Sequence, residues 1–139
     1  MDKLVLGIKS AGEKGQIVLA SKTGVLAKCA LVLDHTLSEK IVGQIEKLLD
    51  KAGFSFANLR CVVIYRGPGS FTSLRISHSV ANTISSTLDI PIAGITASQL
   101  GQRKYEDMVY ALGIKGKKGG VILPFYGGKP NITKSKKKS

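Results

Sequence analysis

The chain has 139 residues, 43% of them apolar, which is enough for one domain with a real core and too much for a disordered protein. No apolar run approaches the ~18–20 residues that span a bilayer, and the stretch Leu4–Ile8 is too short for a signal peptide, so a cytoplasmic protein with no membrane contact is expected. Twenty-one lysines and arginines against nine acidic residues give a net charge of +12, much of it near the C-terminus. In chain order, Leu4–Ile8, Gln16–Ala20 and Val25–Leu33 read as three short strands joined by Gly-containing turns, an antiparallel meander. Leu37, Ile41, Ile45, Leu48 and Ala52 recur at helical spacing, with Val42 and Leu49 widening the stripe. Thr36 or Ser38 can cap that helix, and Gly53 ends it. The continuous apolar run Cys61–Tyr65 reads as a strand covered on both faces. A second helix follows over about 71–88, with Leu74, Ser77, Ala81, Ile84 and Leu88 in line, and Ile92–Ile95 is a further buried strand. The order β-β-β-α-β-α-β implies an α/β fold, a mixed sheet with helices packed on it. Beyond it the pattern weakens: Ala97–Met108 reads as a helix, 113–120 as a Gly/Lys loop and Val121–Leu123 as a short strand.

Few residues offer chemistry. Cys29 and Cys61 sit in apolar runs and read as small buried hydrophobes. His35 and His78 do not join them in a zinc spacing, so no metal site and no catalytic residue is assigned. His35, at a strand–helix junction, reads as a cap or packing residue, and His78 as a surface or interface residue. Lys134, Lys136, Lys137 and Lys138 form a basic tail over 129–139 that either solubilises the chain or attracts a polyanion such as RNA through counterion release. Aromatic residues are not interleaved with these lysines, so base stacking is not expected.

The most specific feature is Gly67-Pro68-Gly69-Ser70-Phe71-Thr72, placed between a buried strand and a helix. Glycines permit the sharp turn, and Ser70 or Thr72 can cap the helix. Outward backbone N–H groups make Gly67, Gly69, Ser70 and Thr72 weak candidates for a phosphate cradle. No Gly-Lys-Ser/Thr follows, however, and a tight structural turn is the better reading.

This stretch, extended through Ser73-Leu74-Arg75-Ile76 and followed by Asp89-Ile90-Pro91-Ile92-Ala93-Gly94-Ile95, closely resembles the TsaB/YeaZ family over roughly residues 1–100. His35 and Glu39 are similar to that family's His-Ser-Glu segment. The resemblance implies an actin-like, RNase H-like fold. It further implies a non-catalytic subunit that pairs through its two helices with the catalytic relative TsaD, joined by the ATPase TsaE. That complex transfers a threonylcarbamoyl group to N6 of adenosine 37 in tRNA. ATP and metal are then expected on the partner and no cofactor on this chain. The expected interface comprises Ile41, Ile45, Ser73, Arg75, Ser77, Val80, Ala81 and Ile84, with a homodimer through the same helices as a further option.

Four departures stand out. Lys9-Ser10-Ala11 replaces the family's Asp-Thr-Ser element, which argues against ATP hydrolysis, and Ser73 and Ser77 replace glycines. The second lobe is expected to be vestigial, confined to 101–128 after a first domain over 1–100, and the lysine run extends beyond it. Arg66 and Arg75 are read as anchors for the turn or for acidic groups, Arg66 alternatively for RNA phosphate. Two other readings remain: a basic tRNA- or RNA-binding module, and a degenerate actin-like nucleotide-binding protein.

Overall fold

A computed structural model of the chain describes residues 3–12 and 14–126. The apolar runs become strands β1 (Leu4–Lys9), β2 (Gly15–Ser21), β3 (Gly24–Leu31), β4 (Leu59–Gly67) and β5 (Ile92–Thr96). They form one sheet in the order β3-β2-β1-β4-β5. The meander β1-β2-β3 is antiparallel, whereas β4 and β5 add in parallel beside β1. Both faces of the central strands are covered, which is why β4 lacks polar alternation.

Helices α1 (Leu37–Ala52) and α2 (Phe71–Leu88) cover one face. Their Leu37, Ile41, Ile45 and Ala81 enter a core with Leu6, Ile8, Ile17, Leu19, Val62 and Ile64. Gly53, at φ 86°, closes α1 in the left-handed region that glycine favours. Thr36 stands at the N-cap position, but its hydroxyl donates to Asp34 rather than capping the helix. Ser70 does cap α2, accepting from the Ser73 N–H at 3.4 Å.

The other face is covered by the segment expected to be one helix over Ala97–Met108. The structure divides it into α3 (Ala97–Leu100) and α4 (Tyr105–Gly113), because the chain turns at Gly101 with φ 65°. Helix α4 lies directly on the sheet. A Cβ on Gly7 would stand 2.6 Å from Val109, and one on Gly113 would stand 2.5 Å from Val5. Tyr105, the first residue of α4, is buried, and its hydroxyl lies 2.8 Å from the Val63 carbonyl and 3.1 Å from that of Ile8. The stretch from 101 to 113 therefore completes the sheet's second face, since Tyr105 and Val109 share a core with Val5, Val18 and Val63.

Val121–Leu123 is not a strand. It belongs to a strap over 121–126 held by side chains and a single backbone hydrogen bond rather than by a sheet ladder. Asn82 brackets Ile122, donating to its carbonyl and accepting from its N–H, both at 2.9 Å. Arg66 Nε donates to the Leu123 carbonyl, and the Phe125 N–H donates to the Arg66 carbonyl, each at 2.8 Å. The lysine tail, including Lys134, Lys136, Lys137 and Lys138, lies outside the described residues.

Candidate functional site

Small residues bring the end of β1 against the start of α2. Ser10 Oγ donates to the Ser73 carbonyl at 3.1 Å and shares a 2.6 Å hydrogen bond with Ser77 Oγ. Ser77 Oγ also lies 3.1 Å from the Leu74 carbonyl, so the two hydroxyl protons are shared among three contacts within this buried polar pocket. A Cβ on Gly69 would stand 2.9 Å from that of Ala11, so the turn also packs on this corner. Gly67, at φ 125°, lies under the strap, where a Cβ would collide with the Phe125 carbonyl. Gly67 is thus covered by the chain itself, while Pro68, Gly69, Ser70 and Thr72 remain exposed. Lys9 lies 5.2 Å from the Tyr65 ring centroid, a cation–π contact at the end of β1.

This packing corrects the expected partner surface. Ile41, Ile45, Ser77 and Ala81 are fully buried against the chain's own sheet, and Ser73 is nearly so. None of the five is available to a second protein. Arg75, Val80 and Ile84 do face outward, fully or in part. His78, expected at the surface, is only 3% exposed. Its Nδ1 lies 2.7 Å from the Leu74 carbonyl, and Nε2 is buried without a partner among the described residues. Burial holds the ring's pKa below its ordinary value, a trend that the Leu74 carbonyl opposes and Arg66 reinforces. His35 is exposed in the turn before α1, beside Asp34, whose carboxyl is lowered by hydrogen bonds from Thr36. Cys61 is buried and Cys29 half-buried, and burial raises both thiols. Among the described residues no three His, Cys, Asp or Glu side chains gather in a metal-ligating group.

What the outward surface does offer is a groove of about 320 Å³ between α1 and α2. Its walls are Val42, Phe56, Val80, Ile84 and Leu88, with Ser79, Thr83 and Thr87 supplying small side chains. Val42 is 50% exposed, far more than a branched apolar residue in a closed core. Past Ser79 and Val80 the groove continues toward the start of both helices, where Arg75 lines it beside Ser38 and Thr72. Arg75 sits over the Phe71 ring at 5.1 Å, which stacks in turn on Tyr126 at 4.8 Å. A long apolar trough with a cation at one end suits a helix carrying apolar anchors and an acidic group. Val42, Phe56 and Leu88 were missing from the expected interface. Val80, Thr83, Ile84 and Thr87 nonetheless recur at helical spacing, a second stripe beside the buried one of Leu74, Ser77, Ala81 and Ser85.

Comparison with known proteins places this architecture. Residues 16–100 match the family described as "TsaD: tRNA N6-adenosine threonylcarbamoyltransferase". The chain is similar to the tRNA threonylcarbamoyladenosine biosynthesis protein TsaB of Buchnera aphidicola subsp. Schizaphis graminum, 39% identical over 97 residues covering 67% of this chain and 45% of that protein. TsaB of Bacillus subtilis is 28% identical over 93 residues, covering 67% of this chain and 41% of that one. The fold is shared with YeaZ from Pseudomonas aeruginosa, with a TM-score of 0.61 at 22% identity, over 68% of this chain and 44% of that one. The chain spans less than half the length of these curated relatives. The five-stranded mixed sheet is therefore the actin-like, RNase H-like fold of YeaZ, and the chain belongs to the TsaD family of tRNA N6-adenosine threonylcarbamoyltransferases, within which it stands with TsaB and YeaZ.

Proposed function

We propose that this chain is a non-catalytic scaffold subunit of cytoplasmic tRNA threonylcarbamoyladenosine synthesis, docking a catalytic TsaD-like subunit on the α1–α2 groove. The observation that carries the reading is the groove itself: Val42, Val80, Ile84 and Leu88 line a continuous apolar trough on the outer face of the two helices. Exposed apolar surface of this shape is costly in water and is the usual mark of a docking face. The names of the relatives supply the pathway, and the family match to TsaD supplies the kind of partner. A TsaE-like ATPase joins the same assembly in this reading, with ATP and metal on the partner subunits.

The non-catalytic part rests on this chain's own residues. Lys9 stands where the family carries an acidic residue, so the charge that would face a magnesium–phosphate group is inverted. Gly67 lies beneath Phe125, leaving that part of the turn no open approach to a phosphate.

Co-expression with the TsaD-like subunit of the same source tests the proposal. The two chains co-purify, and Val80→Glu or the more exposed Thr83→Glu weakens pairing by ~30-fold or more, the ~2 kcal/mol of a lost hot spot. Melting curves check that both variants remain folded. Retention of the partner by both folded variants would remove the groove from the account.

A further inference from the structure

The opposite flank of α1 carries a surface of different chemistry. Three clefts there share their walls. The first lies at the ends of β1, β2 and β3 and is lined by Lys9, Lys14 and Lys28. The second runs between the β3 edge and α1, sharing Lys28, Cys29 and Ala30 with the first and adding Lys47 and Lys51. The third, along α1, shares Gln44 and Lys47 with the second and adds Lys40. Together they form one lysine-walled path around the free edge of the sheet.

We infer that this path is a docking surface for the sugar–phosphate backbone of RNA. No carboxylate lines any of the three clefts. Glu106 reaches the first from α4, where it accepts from Lys28 at 2.9 Å and from Gln16 at 3.0 Å. It offsets one charge of the path. Glu39, Glu46 and Asp50 occupy the adjoining stripe of α1, about 100° around the helix from Lys40, Lys47 and Lys51. Among the described residues, Lys28–Glu106 and Lys118–Asp89 are the only salt bridges. The helix lysines thus keep their charge for an outside anion.

The chemistry of the path selects the ligand. Its cations are compact ammonium groups without arginine forks, and no aromatic ring lines the clefts. Such a wall suits a run of phosphates rather than base faces or bidentate carboxylates. Lys47 and Lys51 are one helical turn apart, ~6 Å, so a single strand or groove edge can be followed along α1. The choice of RNA over an acidic protein rests on the tRNA pathway proposed above. Because the path and the α1–α2 groove lie on opposite flanks of α1, both can be filled at once.

The test uses the full chain and a labelled, unmodified tRNA transcript, titrated from 50 to 250 mM salt. Lys40, Lys47 and Lys51 are changed together to Gln. A charge-matched control changes Lys134, Lys136 and Lys137 to Gln. The helix variant is expected to bind at least tenfold more weakly than the control. Its plot of log affinity against log salt is expected to flatten by about two to three, one counterion for each lost phosphate contact. The triple Arg variant is expected to restore binding. Equal losses in the helix and tail variants would show an effect of net charge alone and overturn the inference. So would competition by poly-glutamate as effective as that by RNA of equal charge, which would assign the path to an acidic protein. Co-purification with the TsaD-like subunit is read in parallel. It should survive the helix substitutions, so a failure of pairing and a failure of RNA docking are separately visible.

Discussion

His78 is a titratable ring held out of water by the helix that carries it. Its Nδ1 is engaged by the Leu74 carbonyl, and among the described residues its Nε2 has no hydrogen-bond partner to stabilise a second proton. The folded-state pKa is depressed, so above the ordinary value of ~6.5 the ring is neutral in both states and costs nothing. As pH falls below that value the unfolded chain takes up the proton first, and stability is lost until the folded-state pKa is reached. The slope from one such group is at most ~1.4 kcal/mol per pH unit. Denaturant unfolding between pH 7.5 and 5.5 should therefore show falling stability in the parent chain and a flatter profile in His78→Gln. Parallel profiles would mean the ring is not the group that titrates. The same helix shows what residue type alone can reveal. Ser73, Ser77 and Ala81 announce that something packs closely on α2, but small side chains do not say what. Here the neighbour is Ser10 and the sheet, joined by hydrogen bonds across more than sixty residues of sequence. Contacts of that range leave no local signature.

At the scale of elements, periodicity sufficed wherever a run was long and met by the sheet. The strands β1 to β5 and helices α1 and α2 stand where their apolar patterns put them, to within two residues. Two shorter segments did not follow their patterns. Gly101 breaks what reads as one helix, and its positive φ is the reason. Val121–Leu123 has the composition of a strand, yet Asn82 and Arg66 supply its hydrogen bonds in place of a neighbouring strand. A pattern identifies an extended apolar segment, but not the partner it meets. The strap depends on Gly67, whose φ of 125° and whose contact with the Phe125 carbonyl both exclude a side chain. Gly67→Ala should release the strap, costing ~1–3 kcal/mol. Hydrogen exchange at the Phe125 amide, bonded to Arg66 in the parent, reports this directly. Unchanged protection there would show that the strap is held independently of the turn.

Across the whole molecule, α1 separates two surfaces. One flank, with α2, forms an apolar groove ending at Arg75, and the other, with β3, forms a path of lysines. The excess of cations and its concentration near the C-terminus were plain in the sequence, but which of the remaining lysines share one surface was not. Lys47 and Lys51 share a cleft with Lys28 only because β3 lies beside α1, and Lys40 joins them through the cleft along the helix. The family was legible from the turn and the strand that follows α2. Which helix faces remain outward required the packing, since Ile41 and Ile45 satisfy the same periodicity as an interface would. The central claim is that the α1–α2 groove is the face on which a catalytic TsaD-like subunit docks. Hydrogen exchange of the chain with and without that subunit tests it most directly. The account predicts added protection concentrated in α1 around Val42 and in α2 from Arg75 to Leu88, with β3 unchanged. Protection confined to β3 or to the strap, with α2 unaffected, would contradict it.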